Sequence, residues 1–308
     1  MADTMATRDA YGKALVEFGS KYDFVVLDAD LAAATKTCNF KKEFPDRFFD
    51  CGIAEGNMMS VAAGIASTGQ LVFASSFAMF AAGRAFEQVR NSIGYPHLNV
   101  KIGATHAGIT VGEDGATHQC NEDIALMRTI PGMVVISPAD AVYARAAVEA
   151  AIKHVGPVYL RFGRAPLPMI YGDDYKFEIG KGVVLADGSD VTIVANGITV
   201  SMALEAREML KADGIDAAVI DIATIKPIDE ELLVKYAKKT GKIVTCEEHS
   251  IIGGLGGAVS EVLSEKCPTL IKRVGMNDTY GSSGKAFEVA AHYGLSAEHI
   301  YNAVKGIV

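Results

Sequence analysis

The chain opens with an alternation of helical and extended hydrophobic patterns. Residues 7–18 carry apolar side chains at helical spacing, and the apolar run at 24–27 is typical of a short buried strand. The alternation continues with strands predicted at 48–50, 70–75, 100–104, 134–136 and 158–160, and helices predicted at 57–67, 78–93 and 140–152. Strands that alternate with helices form a mostly parallel sheet covered on both faces, so the sequence predicts a doubly wound α/β domain.

The pattern lapses between residues 166 and 190, where Pro, Gly, Tyr and acidic residues replace it. It resumes with strands predicted at 191–195, 217–220 and 242–245, and helices predicted at 198–213 and 230–240. We therefore expect two doubly wound α/β domains. The first covers residues 1–170 and the smaller second covers 190–308, with a linker at 171–189. A length of 308 residues agrees with two domains, because one domain has roughly 100–200 residues.

Composition narrows the class of protein. The net charge of -8 is dispersed along the chain, which argues against a nucleic-acid or membrane surface. No apolar run approaches the roughly 20 residues of a spanning helix, and residues 1–4 lack the features of a signal peptide, so we expect a cytoplasmic protein. The cysteines are few, scattered and odd in number, which predicts reduced thiols rather than disulfides or a zinc site. They are Cys38, Cys51, Cys120, Cys246 and Cys267.

Two polar segments follow predicted strands, where open α/β sheets bind ligands. Residues 50–58 read DCGIAEGNM, and residues 104–119 read ATHAGITVGEDGATHQ. The second holds two histidines, an acidic pair and several glycines. Such a density of donors and acceptors predicts an active-site loop, and the alternative is a turn-rich surface loop with solvated histidines.

Together with the residues between them, these segments resemble transketolase. The runs GIAE at 52–55 and GEDGATHQ at 112–119 are similar to motifs of that family, and SSFAMF at 75–80 is similar to its aromatic segment. The resemblance extends from Ala6 to Gly284. It corresponds to the pyrimidine-binding domain and the C-terminal domain of a full-length enzyme.

The resemblance implies that the chain binds the aminopyrimidine ring of thiamine diphosphate. In this family a carboxyl group bonded to the ring favours the imino form that acts as a base, and Glu55 matches that group in an apolar site. Phe77 matches the ring that packs on the pyrimidine, with Phe80 behind it, although Gly83 stands where a third aromatic often follows. Asp30 matches an acidic residue near the thiazolium ring and facing the partner. Each of these residues has an alternative role. Glu55 could interact with a helix N-terminus, the two phenylalanines could be ordinary core residues, and Asp30 could be a helix N-cap.

The resemblance also implies a set of substrate residues. His106, Asp114 and His118 match the side chains that bond sugar hydroxyls and move protons, a task that suits the near-neutral pKa of histidine. With Glu55, the two histidines form the predicted catalytic set.

Two arginines match the family's phosphate ligands. Arg8 and Arg164 correspond to the positions that hold the phosphate of a phosphosugar, since a guanidinium offers a fork of donors. Arg161 is an alternative to Arg164, and a surface ion pair is an alternative role for both. A serine that contacts phosphate in many transketolases aligns near Ala34, with Thr35 beside it.

The family's diphosphate motif, Gly-Asp-Gly followed some thirty residues later by Asn, is not present in this sequence. The resemblance therefore implies a separate N-terminal subunit that holds the diphosphate through Mg²⁺ or Ca²⁺, in a dimer of heterodimers. We expect no metal ligands in this chain. The segment 247–249, Glu-Glu-His, cannot turn three adjacent side chains towards one ion, so we assign it a structural or interface role.

We therefore expect the C-terminal subunit of a split transketolase, which transfers a two-carbon ketol unit between sugar phosphates. One alternative is a 1-deoxyxylulose-5-phosphate synthase, which usually lacks a histidine at the position of His106. Another is the β subunit of a 2-oxoacid dehydrogenase, against which the run at 112–119 argues. The third is a non-catalytic regulatory paralogue, which the joint presence of Glu55, His106 and His118 disfavours.

Overall fold

The computed structural model describes residues 4–308; residues 1–3, on which the expectation about the N-terminus partly rests, lie outside the described residues. The chain forms two α/β domains, which confirms the predicted fold class. Strand β1 (Thr4–Ala6) pairs antiparallel with β8 (Pro166–Pro168) and ties the start of the first domain to its end. All five cysteines are free thiols.

The first domain is built on a parallel sheet. Its strands are β2 (Phe24–Asp28), β3 (Phe48–Asp50), β4 (Leu71–Phe77), β5 (Val100–Thr105), β6 (Val134–Ile136) and β7 (Val158–Arg161). A seventh strand, β12 (Thr224–Lys226), comes from the second half of the chain and pairs antiparallel with β6. The order across the sheet is β12-β6-β7-β5-β4-β2-β3.

Helices cover both faces of this sheet. They are α1 (Thr7–Gly19), α2 (Ala32–Thr35), α3 (Cys38–Glu43), α4 (Glu55–Ala66), α5 (Phe86–Gln88), α6 (Asp123–Arg128) and α7 (Ala141–Lys153), with a 3₁₀ turn at Pro45–Arg47. Successive strand residues point to opposite faces. Val72 and Ala74 therefore join the core that includes α4, whereas Phe73 joins the core that includes α1 and α7.

The segment between β4 and β5 differs from its prediction. In place of one long helix at 78–93, two π-helical stretches, Met79–Arg84 and Val89–Gly94, flank the short α5. Phe77 ends β4, so it does not share a helical turn with Phe80 as the spacing suggested. Apolar spacing cannot separate α from π winding over so few residues, and π segments are frequent at functional sites.

The second domain has a five-stranded sheet. Its strands are β9 (Val183–Ala186), β10 (Val191–Ala195), β11 (Ala217–Asp221), β13 (Lys242–Ser250) and β14 (Leu270–Met276), in the order β14-β13-β10-β11-β9. Its helices are α8 (Thr199–Ala212), α9 (Glu230–Thr240), α10 (Leu255–Lys266), α11 (Ala286–His292) and α12 (Ala297–Lys305). Among the helices at residues 4–308, none has the length and apolarity needed to cross a membrane.

The expected linker is shorter than the sequence suggested. Residues 183–186 were assigned to it, but they form β9, which pairs antiparallel with β11 at the edge of the second sheet. Its four residues, VVLA, are all apolar, but the run is short and follows a stretch of Pro, Gly, Tyr and acidic residues that is typical of a connection.

Strand β12 fastens the two domains together. Beyond its pairing with β6, the Lys226 ammonium donates hydrogen bonds to the carbonyl oxygens of Arg128, at 2.8 Å, and Ile130, at 2.6 Å. These carbonyls lie at and just after the end of α6, where helical carbonyls lack partners of their own. The second half of the chain thus adds a strand to the sheet of the first domain and supplies hydrogen bonds to carbonyls at and after the end of α6.

We expect Lys226→Met to lower the free energy of unfolding by about 1–3 kcal/mol, because it removes two charge-assisted hydrogen bonds and keeps the apolar stem. Urea denaturation measures the change. Lys238→Met, at an exposed position of α9, is the matched control and should be nearly neutral. Equal stabilities of the two variants would show that Lys226 does not fasten the domains.

Candidate active site

The candidate site lies where parallel strands end together. In the register of β4 and β5, Phe77 is paired with Thr105, so the next residue, His106, emerges beside the Phe77 ring. The two rings stack with centroids 3.7 Å apart and planes inclined by 25°. This edge of the sheet is the position at which α/β domains bind ligands.

His106 is held as a neutral ring. It is 2% exposed and has a positive φ of 56°, a conformation uncommon outside glycine. Arg8 Nη1 donates to its Nε2 at 2.8 Å, and because a guanidinium cannot accept, Nε2 carries no proton and Nδ1 donates to Thr105 Oγ1 at 2.9 Å. Burial, assisted by the nearby cations Arg8 and Arg164, lowers the pKa of His106 to about 3.

The loop at 106–119 brings the second histidine to the same aromatic pair. The rings of Phe77 and Phe80 are nearly parallel, with centroids 5.9 Å apart. His118 meets Phe80 edge-on at 5.4 Å and Phe77 at 6.3 Å. Asp114, on the same loop, is exposed. The structure thus gathers both predicted histidines and both predicted phenylalanines into one cluster.

Glu55 lies at the start of α4 and is 2% exposed. Its Oε2 is 3.3 Å from Nη1 of Arg84, whose guanidinium also lies over the Phe80 ring at 4.9 Å. We expected an apolar site around Glu55, and this expectation is wrong in one respect, because the Arg84 guanidinium contacts its carboxyl group. Sequence reasoning missed Arg84; the signal was a basic residue within an otherwise apolar stretch.

An open groove of about 1000 Å³ runs past this cluster. Phe80, Arg84 and Thr117 line it from the first domain, and Thr279 and Tyr280 line it from the second. The groove is therefore shared between the domains, and a ligand in it would contact both.

Positive charge is concentrated on the other side of His106. Arg8 is half-buried; its Nη1 also donates to the Ala34 carbonyl at 3.2 Å, and its Nε is buried without a partner among residues 4–308. Burial and the neighbouring Arg164 lower the pKa of Arg8, and Lys36 is a further cation that depresses the pKa of His106. Side chains that repel one another in this way form a site for an anion.

The two arginines that the sequence left as alternatives have different surroundings. Arg164 is partly exposed; it donates to the Val111 carbonyl and lies 3.2 Å from Glu113. Arg161 is buried, with Nε 2.8 Å from Asp123 and Nη2 donating to the Glu248 carbonyl at 2.8 Å. Since the donors of Arg161 are used inside the protein, Arg164 is the arginine available to a ligand.

The loop that carries Asp30 is organised by Asp28, a buried residue that sequence reasoning did not single out. Its carboxylate accepts from the Leu31 amide at 2.7 Å and from the hydroxyls of Thr35 and Thr37 at 2.7 and 2.8 Å. Burial outweighs these bonds and raises the pKa of Asp28 to about 6. Asp30 itself is exposed with φ 62°, and it does not cap the following helix.

Within the part of the chain that the structure describes, no group of three or more His, Cys, Asp or Glu side chains is arranged to hold a metal ion. In the segment 247–249, Glu247 accepts hydrogen bonds from the Leu255 and Gly256 amides at the start of α10. Glu248 accepts a hydrogen bond from the Thr110 amide, in the loop that carries His106 and His118.

Residues 3–169 match the family model for the transketolase pyrimidine-binding domain, and residues 180–300 match that for the transketolase C-terminal domain. The chain belongs to the transketolase family. The resemblance read from the loop motifs is thereby confirmed.

Several relatives have about the same length as this chain, whereas it spans about half of the transketolase of Rattus norvegicus, to which it is 38% identical. It is 54% identical to a putative transketolase C-terminal section of Methanocaldococcus jannaschii, covering 95% of this chain and 93% of the relative. It is 44% identical to a 6-deoxy-6-sulfo-D-fructose transketolase subunit of Clostridium sp., covering 96% and 92%. A solved structure described as a split gene transketolase, inactive beta4 tetramer, matches with a TM-score of 0.91 and 55% identity over 99% of this chain and 98% of that one.

We expect the His106 ring to remain neutral from pH 8 down to about pH 4 in the isolated chain. Because its folded pKa of about 3 lies below the ordinary 6.5, its contribution to stability is full above pH 6.5 and is lost as the pH falls towards 3. NMR titration of the histidine rings, with His106→Gln to assign the resonance, measures this. A His106 ring that titrates near 6.5 would contradict the assignment.

Proposed function

We propose that this chain is the C-terminal subunit of a split transketolase, which with a separate N-terminal subunit transfers a two-carbon ketol unit from a ketose phosphate to an aldose phosphate. The observation that carries the proposal is the cluster in which a neutral, buried His106 stacks on Phe77 beside His118. The similarity along nearly the whole chain to a putative transketolase C-terminal section supports it.

The residues present fit thiamine diphosphate. The buried carboxyl group of Glu55 contacts Arg84, which lies over the Phe80 ring and lines the open groove, and this combination suits a flat heterocycle with ring nitrogens. Glu55, Phe77 and Phe80 would hold the aminopyrimidine. When bound, the cofactor supplies the carbanion that takes up and passes on the ketol unit. A ring nitrogen bonded to Oε2 of Glu55 would take the place of Arg84, whose side chain is 58% exposed and can move towards solvent, and the ring would then replace the cation as the partner of the buried carboxyl group.

The substrate residues divide into two groups by charge. His106, His118 and Asp114 would bond sugar hydroxyls. The pKa of about 3 departs from the near-neutral value expected for His106, so in the free chain its ring is a weak base that would act near pH 7 as a neutral hydrogen-bonding group. Arg8 and Arg164 would hold the phosphate, which relieves the repulsion between them. Lys36 strengthens this anion site, where Ala34 offers no hydroxyl and Thr35 is bonded to Asp28.

The partner subunit would supply the diphosphate site and its Mg²⁺ or Ca²⁺, because the sequence holds no Gly-Asp-Gly motif with a following Asn. Large apolar side chains around Glu55 support a protein interface there: Ile53 is 77% exposed, and Phe49 and Val61 are also exposed. Asp30, exposed nearby, would face the partner and the thiazolium ring. The inactivity stated for the tetramer of the similar split-gene protein agrees with a chain that needs its partner, and we propose a dimer of heterodimers.

Ketol transfer between xylulose 5-phosphate and ribose 5-phosphate tests the proposal. With thiamine diphosphate and Mg²⁺, we expect activity from this chain mixed with its N-terminal subunit and none from this chain alone. In the active mixture, Glu55→Gln should lower kcat by a factor on the order of 10²–10⁴, because the amide cannot favour the imino form.

Glu265→Gln, an exposed change on α10, is the control and should keep full activity. Far-ultraviolet circular dichroism should show that Glu55→Gln folds. Full activity of Glu55→Gln would contradict the role assigned to Glu55. Activity with pyruvate but not with ketose phosphates would indicate a synthase or dehydrogenase instead.

Arg164→Met should raise the KM for the ketose phosphate by about tenfold or more and change kcat little, since it removes a contact made equally in the ground and transition states. The KM for the same sugar without its phosphate should not change. Arg161→Met should instead reduce stability by about 3–5 kcal/mol, because it leaves Asp123 buried without its cation. A phosphate-dependent KM effect in Arg161→Met and none in Arg164→Met would reverse the assignment.

A further inference from the structure

The loop at 106–119 has no continuous helix or strand to fix its shape. Gly108, Gly112 and Gly115 all have positive φ angles, and His106 adopts one as well. A backbone with so many left-handed residues has many alternatives when it is free. The contacts that select one conformation therefore decide where His106 and His118 lie.

Glu248 supplies such a contact from the second domain. It is buried on β13, and its Oε1 accepts a hydrogen bond from the Thr110 amide at 2.7 Å. Its carboxyl group packs so closely on Gly108 that a Cβ there would overlap it. The carboxylate thus accepts a hydrogen bond from one loop amide, and it occupies the space that a side chain at position 108 would need.

Glu248 is itself held firmly. Its backbone carbonyl accepts from Arg161 Nη2 at 2.8 Å, and Arg161 is fixed by Asp123 at 2.8 Å, which also accepts from the Tyr159 hydroxyl at 2.8 Å. Arg161 is within electrostatic range of the Glu248 carboxylate, although burial still raises the pKa of Glu248. A buried network whose members hold one another can place a side chain precisely.

We propose that Glu248 is a positioning residue that fixes the 106–119 loop so that His106 stacks on Phe77 and meets Arg8. The kinetic part of this proposal rests on the proposed function, whereas the placement of the loop does not. Through Glu248 the second domain would then act on the reaction by way of this loop. Its neighbour Glu247 is equally buried but binds the amides of Leu255 and Gly256 at the start of α10, so the two carboxylates serve different segments.

The first experiment is hydrogen exchange, measured by mass spectrometry on the full chain without partner or cofactor. Glu248→Ala should speed exchange in residues 106–119 by about tenfold or more and leave 255–266 unchanged, because only the loop loses its acceptor. Glu248→Gln keeps an acceptor of the same shape and should restore protection to within about threefold of the wild type. Glu247→Gln should leave 106–119 unchanged.

The second experiment is kinetic, in the reconstituted complex. Glu248→Ala should lower kcat/KM for the ketose phosphate by about 10–100-fold, since a misplacement of roughly 1 Å has effects of this size. The affinity for thiamine diphosphate should stay within about twofold, because Glu55 and Phe80 lie on other segments. A general structural defect would instead weaken cofactor affinity and substrate turnover together.

Unchanged loop exchange in Glu248→Ala, or equal losses in the Gln and Ala variants, would overturn the proposal. If Glu248→Ala does not fold, Glu248→Asp replaces it: the shorter side chain keeps the charge but withdraws the acceptor from Thr110, and the loop should again exchange faster. An inactive wild-type complex would refute the proposed function, and loop exchange would still decide whether Glu248 places the loop.

Discussion

The parallel register of β4 and β5 is the constraint on which the candidate site depends. It pairs Phe77 with Thr105, and because neighbouring parallel strands lie about 4.8 Å apart, the backbone of the next residue, His106, lies within reach of the ring that ends β4. His106 occupies that place with a positive φ, a strained conformation for a residue other than glycine. Strain of this kind persists only where the surroundings hold it, and here Phe77 and Arg8 do so.

Electrostatics then sets what the site can bind. Arg8, Arg164 and Lys36 lie around a histidine that burial already keeps neutral, and Asp9, beside Lys36, and Glu113, beside Arg164, offset their charges only in part. The cations that remain near His106 favour an anionic ligand. On the other side of the aromatic pair, Arg84 contacts Glu55 in the free chain. The two sides of the aromatic pair therefore differ in charge. Cations predominate beside His106, whereas an ion pair between Arg84 and Glu55 lies on the other side.

The sequence predicted the local elements well and the long-range ones poorly. Buried parallel strands and amphipathic helices such as α7 leave a periodic signal, and the loop motifs named the two histidines before their contacts were known. The edge strands β9 and β12 have only four and three residues, too few for a clear periodic signal, and they form because each pairs with a strand far along the chain. The same holds for Asp28 and Glu248, whose burial follows from tertiary packing and not from their sequence neighbours.

The sharing of elements between the domains also bears on where a split enzyme can be divided. Strand β12 completes the first sheet, Lys226 binds carbonyls at and after the end of α6, and Glu248 reaches the loop at 106–119. A break between these two domains would expose a sheet edge and leave buried polar groups without partners. These contacts join the two domains into one physical unit, and both of them line the groove beside the aromatic pair.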